Sequence, residues 1–448
     1  MSPGSKGPRN EHMRTTRRRF FGQLAGGAAS LWALGCRREG DTAPPTDGTT
    51  ATPTPTPTTP AVPRPEDFPE KTLLVLGGTG FLGPHVVDAA LAQGWKVTLF
   101  NRGKTNPGLF PDLEKLHGDR DGKLQELEGR KWRAVIDTSG YVPRIVRQSA
   151  ELLAPNVAHY VFVSSISAYA DFSKLGITEE HPAAVLEDPA TEDIMAAYGA
   201  LKAACEATVE EALPGRTVNV RAGYIVGPRD PSDRFTYWPA RVDQGGEVLA
   251  PGTPEDPIQV IDVRDLAKWM IGALEHDHMG VYNLCGPSIP IASMLAACQE
   301  HAKEKSTFSW VEKEFLKAQG GEEGLNLPIW VPPGEPGFEG FAQVSAQKAI
   351  DTGLTTRPIS ETVLATLEWW REQPEDRRTK MRAGITRERE AELLARWKEQ
   401  HAPAKPDKPG KPDKPAKGKK KVSRAELPRE ELVRMASRRA SSLLGFHA

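Results

Sequence analysis

Apolar runs and helical stretches alternate along the central part of the chain. The first run is Thr72–Leu76; after a glycine-rich turn come a helix from about Pro84 to Gln93 and a second run, Lys96–Phe100. Runs without polar alternation are typical of strands buried on both faces of a parallel sheet. Further strands are indicated, one ending near His117 and others at Trp132–Ile136 and Tyr160–Val163. The alternation predicts an α/β fold with a doubly wound parallel sheet.

The glycine-rich turn is the first sign of a ligand. It reads Gly-Gly-Thr-Gly-Phe-Leu-Gly and lies between a strand and a helix, the setting in which such a loop binds a dinucleotide at the helix N-terminus. Gly77 permits the tight turn, Gly80 lets the backbone approach the diphosphate, and Gly83 lets helix and strand pack closely. We therefore predict a Rossmann sheet whose loop contacts the cofactor through Gly77, Thr79, Gly80, Phe81, Leu82 and Gly83.

The end of the second predicted strand bears on the choice of cofactor. NAD-binding domains usually place an acid there, which accepts a hydrogen bond from the ribose 2′-hydroxyl. Here the position holds Asn101, followed by Arg102, Gly103 and Lys104. Because no acid repels a 2′-phosphate and two cations are near, NADP is favoured over NAD, which stays open. Asn101 and Arg102 are predicted cofactor contacts, whereas Lys104 is also explained as a surface charge.

Two later strand ends add predicted cofactor contacts, because ligands of such sheets lie beyond the carboxyl ends of the strands. Asp119 and Arg120 follow the third strand, on the adenine side. Thr138 and Ser139 follow the fourth strand and are expected to line the nicotinamide side. For Asp119, a structural role as a loop acid that forms a turn remains the alternative.

A serine, a tyrosine and a lysine form the candidate catalytic set. Ser165 ends a buried strand, and Tyr198 and Lys202 lie at positions i and i+4 of a predicted helix, hence on one face. A phenol with a pKa of about 10 is a poor base at neutral pH, but an ammonium and an oxidised nicotinamide nearby lower that pKa. We expect Tyr198 to be the acid/base, Lys202 to tune it and orient the ribose, and Ser165 to hold the substrate oxygen.

In this order the motifs resemble those of the extended short-chain dehydrogenase/reductases, the NAD-dependent epimerase/dehydratase family. The resemblance runs over residues 71–376 and includes Arg221, Gly227-Pro228, Ile261–Ala267, Tyr282-Asn283, Gln347–Ala349, Gly353-Leu354 and Trp369-Trp370. It implies a catalytic domain whose smaller substrate lobe comes mainly from residues 229–260 and 288–376. A homodimer is compatible with it.

Some positions depart from that family's pattern. Nucleotide-sugar epimerases usually carry an asparagine where this chain has Tyr224, and a proline where it has Ala222, which counts against a nucleotide-sugar substrate. Arg234 is a candidate anion contact, with ordinary loop packing as the alternative. Residues 99–104, 118–120 and 221–225 also resemble a divergent branch that includes chloroplast stem-loop RNA-binding proteins. That branch has largely lost the Tyr-Lys pair, which is intact here.

The N-terminal residues resemble a targeting signal. Residues 1–36 resemble a twin-arginine export signal around Arg17–Arg19, with a signal for the general secretion route as the alternative. The run Ala33–Cys36 resembles a lipobox, so lipidation of Cys36 and attachment to a membrane stay open. Residues 37–70, rich in Thr and Pro, are predicted to be a disordered spacer. We expect contact with the twin-arginine machinery and a periplasmic location.

Charge is distributed unevenly along the chain. The net charge of −1 combines +6 over residues 1–40 and +8 over 401–448 with −15 over 41–400. An acidic body is a poor partner for phosphate backbones, so no nucleic acid is expected. Residues 377–400 are predicted to form an exposed helix. Residues 401–448 are predicted to form a basic Lys/Pro-rich tail with a short terminal helix, either a solvated spacer or an adhesive for anionic surfaces.

The four cysteines lack metal-ligand spacing, so no metal is expected, and Cys205, Cys285 and Cys298 are predicted to be small buried hydrophobes. The leading hypothesis is an exported NAD(P)-dependent oxidoreductase or epimerase acting on a sugar or another hydroxyl or carbonyl compound. The alternative is a non-catalytic NAD(P)-binding scaffold, or an envelope- or RNA-binding-like module of the same fold.

Overall fold

The computed structural model describes residues 64–320 and 325–402. The predicted export signal, most of the predicted spacer and nearly all of the basic tail lie outside the described residues. The described strands are β1 (Thr72–Leu76), β2 (Lys96–Asn101), β3 (Glu114–His117), β4 (Trp132–Asp137), β5 (Val157–Ser165), β6 (Thr217–Ala222), β7 (Tyr224–Val226), β8 (Gly246–Pro251), β9 (Pro257–Asp262), β10 (Gly280–Leu284), β11 (Ser288–Pro290) and β12 (Ser306–Val311).

The described helices alternate with these strands, as the sequence predicted for the central part of the chain. They are α1 (Leu82–Ala92), α2 (Pro143–Leu153), α3 (Ile194–Ala212), α4 (Tyr237–Asp243), α5 (Val263–Glu275), α6 (Ile291–His301), α7 (Lys313–Gly320), α8 (Gln347–Asp351), α9 (Ile359–Arg371), α10 (Glu375–Arg378) and α11 (Arg387–Gln400). The first helix starts at Leu82, two residues before the predicted position.

A seven-stranded parallel sheet in the order β3-β2-β1-β4-β5-β6-β10 forms the centre of the fold. Along β1, Leu73 and Val75 face a core that contains Val86 of α1 and Leu266 of α5. The alternate residues of β1 face a second core, built with α2 and α3. Helices therefore cover both faces of the sheet. The predicted doubly wound Rossmann fold is confirmed.

Smaller elements after β6 form a second group. Strands β11, β9 and β7 make one small sheet, and β12 pairs in parallel with β8. Helix α6 packs against α4 and α9. These elements come largely from the residues for which the sequence predicted a substrate lobe. Cys205, Cys285 and Cys298 are buried thiols, as predicted.

Helix α11 corrects one prediction. The sequence indicated an exposed helix, but one face of α11 is buried through Leu393, Leu394 and Glu390. The Glu390 carboxylate accepts from Arg241 Nε of α4 at 2.6 Å and from the Leu249 backbone N–H at 3.0 Å. The alternating charges of α11 did not indicate this buried face, because the partner of Glu390 is Arg241, which is distant in the sequence. Among the described helices, none combines the length and apolarity needed to cross a membrane.

Candidate active site

The carboxyl-terminal edge of the parallel sheet brings the candidate residues together. The register pairs Leu76 with Asp137 and Ser165 with Ala222. The glycine loop after β1, the loop after β4 and the serine at the end of β5 therefore follow each other along one edge. Helix α3, which carries the tyrosine and the lysine, packs against β5. Ligands of doubly wound sheets bind at this edge.

The glycine loop is closely packed against the end of β4. Gly77 has a φ of +91°, which favours glycine, and a Cβ there would lie 2.6 Å from Thr138 Oγ1 and 3.0 Å from Ser139 Oγ. A Cβ on Gly83 would lie 2.4 Å from the Gly77 carbonyl oxygen. Thr138 Oγ1 donates to the Leu76 carbonyl at 2.9 Å. Loop, helix and strand end thus form one tight unit.

The same loop has open backbone on its other side. Among the described residues, no atom lies within 4 Å of a Cβ built on Gly80. Helix α1 begins at Leu82, directly after Phe81, so its first backbone N–H groups lie at the loop. Asn106 Nδ2 donates to the Thr79 carbonyl at 3.0 Å and supports the loop. Open backbone beside a helix N-terminus fits the diphosphate of a dinucleotide.

The end of β2 presents an amide and two cations. Asn101 Oδ1 accepts from the Gly103 backbone N–H at 2.8 Å. Asn101 Nδ2 is buried and has no hydrogen-bond partner within the described part of the chain. The side chains of Arg102 and Lys104 are exposed. A donor without a partner and two exposed cations fit a 2′-phosphate on the cofactor ribose better than a carboxylate would.

Asp119 and Arg120, the two predicted cofactor contacts in the loop after β3, have structural roles. Asp119 Oδ1 accepts from the Asp121 backbone N–H at 3.2 Å, which forms the turn that was the alternative for this residue. The Arg120 guanidinium turns inward and donates to Asp137 at 2.6 Å and to Ser149 at 2.7 Å. Its side chain is 11% exposed. The predicted cofactor contact of Arg120 gains no support, because a buried carboxylate at the end of β4 requires this cation.

Ser165 and Tyr198 are hydrogen-bonded to each other at the edge of the sheet. Ser165 Oγ also accepts from the Ser167 backbone N–H at 3.1 Å. Burial raises the pKa of the Tyr198 phenol above its usual value, and the neighbouring Tyr141 phenol adds to the rise. The hydrogen bond with Ser165 and the guanidinium of Arg234 lower the pKa. The predicted serine and tyrosine are therefore in direct contact.

Helix α3 is shaped around this contact. Asp193 caps it by accepting from the backbone N–H groups of the first turn at 3.0 and 3.1 Å. The helix is then interrupted at Ala197, whose φ of −130° and ψ of 26° are not helical, directly before Tyr198. A Cβ on Gly199 would lie 2.0 Å from the Ser167 carbonyl oxygen. The glycine after the tyrosine therefore lets α3 approach the turn that follows Ser165.

Lys202 is buried one helical turn after Tyr198, with 3% of its surface exposed. Its ammonium donates to the Gly140 and Val163 carbonyl oxygens, each at 2.6 Å. It also lies 4.2 Å from the centre of the Phe162 ring. Burial lowers the pKa of Lys202 from 10.5 to about 8, although nearby anions oppose the change. The ammonium is thus fixed between the ends of β4 and β5.

Tyr141 is a site residue that the sequence reasoning missed. Its ring lies 5.2 Å from Lys202 Nζ, and burial raises the pKa of its phenol. Tyr141 is therefore one of the side chains that surround the buried ammonium. The available signal was its position, immediately after the Thr138–Gly140 strand end.

Glu206 and Arg221 form a second feature that was not predicted as a pair. Arg221 Nη2 donates to Glu206 Oε2 at 2.7 Å, and both side chains are less than a tenth exposed. Ser164 donates to the same carboxylate. Glu206 lies four residues after Lys202 on α3, so helical spacing was the signal for its location. Within residues 64–320 and 325–402, His, Cys, Asp and Glu side chains form no group of three or more able to hold a metal ion.

Comparison with known proteins shows which proteins this part of the chain is similar to. Residues 73–285 match the model of the family described as NAD dependent epimerase/dehydratase. Chloroplast stem-loop binding protein of 41 kDa b from Arabidopsis thaliana is 27% identical over 238 residues, which are 48% of this chain and 59% of that protein. The alignment therefore spans less than two thirds of that relative.

Solved structures resemble the fold at low sequence identity. A candidate epimerase from Burkholderia cenocepacia J2315 has 17% identity and a TM-score of 0.51, covering 67% of this chain and 98% of that one. The enzyme WbmH from Bordetella bronchiseptica, solved with NAD+, has 18% identity and a TM-score of 0.49, with coverage of 67% and 98%. The match over residues 73–285 makes this part of the chain similar to the NAD-dependent epimerase/dehydratase family, and the seven-stranded parallel sheet agrees with that similarity.

Proposed function

We propose that this protein is an exported NAD(P)-dependent oxidoreductase or epimerase that acts on a sugar or another hydroxyl or carbonyl compound. The observation that carries the proposal is the hydrogen-bonded pair Ser165 and Tyr198 beside the buried ammonium of Lys202, on the same sheet edge as the glycine loop. The family match over residues 73–285 supports an enzyme of this kind.

The side chains divide the proton chemistry among them. Tyr198 removes the proton from a substrate hydroxyl in one direction and returns it to the oxygen in the other. Ser165 donates to the substrate oxygen and stabilises the charge that develops on it. Lys202 favours the phenolate through its positive charge and is expected to orient the nicotinamide ribose. The nicotinamide, when bound, supplies reversible hydride acceptance.

We propose NADP as the preferred dinucleotide, with NAD as the alternative. The support is local: the strand end that usually carries an acid holds Asn101, and Arg102 and Lys104 are exposed beside it. The family description names NAD, which favours the alternative. A 2′-phosphate between two cations is more stable than one beside a carboxylate.

Export by the twin-arginine route is part of the proposal and rests on residues 1–36 of the sequence. That route moves folded proteins, so a dinucleotide bound in the cytoplasm would travel with the enzyme. We propose that it stays tightly bound and returns to its starting state in every turnover, as in epimerisation, dehydration or paired oxidation and reduction. Attachment through a lipidated Cys36 is a further proposal.

The test is to purify the exported protein and look for nicotinamide by absorbance and mass spectrometry. We expect bound NADP or NAD, released on denaturation. A preparation that carries none, and that binds neither dinucleotide when it is added, contradicts the proposed function.

A second candidate function is a binding module of the same fold without turnover. It is favoured by the similarity to a relative named as a stem-loop binding protein. The charge of −15 over residues 41–400 counts against nucleic acid as its ligand. This module would bind the dinucleotide, but a panel of sugars and alcohols would show no turnover.

A further inference from the structure

Arg234 lies at the substrate side of the candidate site. Ser165 pairs in register with Ala222, and Tyr224 follows two residues later, just beyond the sheet edge. The Arg234 guanidinium lies 5.1 Å from the centre of the Tyr224 ring. It also lowers the pKa of Tyr198, which agrees with a position near the phenol.

The loop that carries Arg234 has an unfavourable backbone. Arg229 and Asp233 have φ values of 73° and 60°, in the left-handed region that residues other than glycine rarely adopt. Such a conformation persists only where surrounding contacts hold it. Within the loop, Asp230 Oδ1 accepts from the Ser232 backbone N–H at 2.8 Å, and Arg234 Nε donates to Ser232 Oγ at 3.0 Å.

Further contacts to this loop come from a distant part of the chain, residues 375–384, which we call the clamp segment. Asp233 is fully buried, and its carboxylate accepts from the Arg377 guanidinium and, at 2.8 Å, from the Arg382 backbone N–H. Arg382 Nη1 donates to the Pro231 carbonyl at 3.0 Å.

The clamp segment also contacts the helix that follows the loop. A Cβ on Gly384, whose φ is +92°, would lie 2.0 Å from Cδ2 of Tyr237, the first residue of α4. Arg377 lies 4.9 Å from the centre of the Trp370 ring on α9, which fixes its direction. The clamp segment therefore holds the loop through the Asp233–Arg377 ion pair and holds the start of α4 through the close approach of the Gly384 backbone to the Tyr237 ring.

We propose that Asp233 and Arg377 are positioning residues, through which the clamp segment fixes Arg234 beside Tyr198 to receive an anionic group of the substrate. The binding of a substrate anion by Arg234 rests on the proposed function. The fixing of the loop by the clamp segment does not. The buried carboxyl of Asp230 interacts electrostatically with the Arg234 guanidinium. The Asp230 carboxyl offsets part of the positive charge of Arg234. A substrate with a single anionic group, such as a carboxylate, is therefore favoured.

The test compares Arg377→Gln with Arg378→Gln in the full-length protein. Arg378 is the next residue of α10, is exposed, and donates to the Gln373 carbonyl, so it is the matched control. Hydrogen exchange of residues 229–236 should become faster in Arg377→Gln and stay unchanged in Arg378→Gln. For a carboxylated sugar turned over by the wild type, Arg377→Gln should raise KM by about tenfold and change kcat less.

A double-mutant cycle with Arg234→Met separates positioning from general stability. If Arg377 acts through Arg234, Arg377→Gln should add nothing to KM in the Arg234→Met background. Equal exchange in the two glutamine variants, or a full additional KM effect in that background, overturns the inference. If the wild type turns over no compound, the proposed function fails separately, and exchange in residues 229–236 still decides whether the clamp segment fixes the loop.

Discussion

Burial controls the acid-base behaviour of the individual candidate side chains. Desolvation opposes the charged form of each group, so it raises the pKa of Tyr198 and lowers that of Lys202. The two shifts oppose the proposed chemistry, which needs a phenolate beside an ammonium. The Ser165 hydrogen bond and the positive charge of a bound oxidised nicotinamide both lower the pKa of Tyr198, so we expect the phenol to act as a base only when cofactor is present.

The titration of Lys202 should make both kcat/KM and the free energy of unfolding depend on pH. Its pKa of about 8 lies below the usual 10.5, so the ammonium is lost as pH rises through about 8. We expect kcat/KM to fall above that pH. The charged form is the one that burial disfavours, so below pH 8 Lys202 reduces stability, and the reduction is relieved as pH rises from about 8 towards 10.5.

The pH profile of Lys202→Arg checks this assignment. A guanidinium stays charged, so the variant should be less active at neutral pH but should lose the fall above pH 8. An alkaline limb in the same place as in the wild type would assign that limb to another group.

Asn101 gives a prediction on cofactor choice. Asn101→Asp adds a carboxylate that repels a 2′-phosphate and accepts from a 2′-hydroxyl. The ratio of the dissociation constants should shift towards NAD by about tenfold or more, measured by titration with both dinucleotides. Lys104→Gln is the control, and a small effect is expected if Lys104 is a surface charge. An unchanged ratio in Asn101→Asp would contradict this view of the site.

At the scale of the elements, close backbone approaches decide the geometry of the site. Helix α1 approaches the glycine loop at Gly83, and α3 approaches the turn after β5 at Gly199. Neither approach leaves room for a methyl group. Two glycines thus connect the cofactor loop and the catalytic helix to the sheet.

Gly199→Ala tests the second approach. The new Cβ would lie 2.0 Å from the Ser167 carbonyl oxygen, so α3 must move away and separate Tyr198 from Ser165. We expect kcat to fall by about tenfold to a hundredfold, with smaller changes in dinucleotide affinity. Gly272→Ala is the matched control, since among the described residues this glycine of α5 has no atom outside the neighbouring backbone of its own helix within 4 Å of its Cβ position. Equal kcat in the two variants would contradict the argument.

The sequence predicted elements better than side-chain environments. Strand bounds were close because apolar runs such as Thr72–Leu76 depend on local composition. Tyr198 and Lys202 could be assigned to one helix face from spacing alone. The inward turn of Arg120 towards Asp137, and the aromatic cover of Lys202 by Tyr141, depend on which residues meet across the fold. Such pairings carry no signal in a single sequence.

At the scale of the whole molecule, residues after α9 are part of the folded body and not an appendage. Helix α11 contributes a carboxylate to a buried ion pair with Arg241, and the clamp segment holds the loop of Arg234. The sequence could not show this, because the partners of Glu390 and Arg377 are more than a hundred residues away along the chain. A truncation before α10 is therefore unsuitable for functional work.

Glu390→Ala measures the docking of α11. It leaves the Arg241 guanidinium, 4% exposed, without its carboxylate, so the free energy of unfolding should fall by about 3–5 kcal/mol. Glu388→Ala removes an exposed acid from the same helix and should change stability by less than about 0.5 kcal/mol. Denaturant unfolding of both variants gives the comparison. Equal stabilities would mean that α11 is not anchored through Glu390.

The most direct test of the proposed chemistry is to replace the Tyr198 hydroxyl while keeping its ring. In Tyr198→Phe, kcat should fall by about a hundredfold to ten-thousandfold, because the variant lacks the hydroxyl that we propose moves the substrate proton. Dinucleotide affinity should stay close to that of the wild type, because the phosphates are expected to bind at the glycine loop. Turnover by Tyr198→Phe at the rate of the wild type would contradict the assignment.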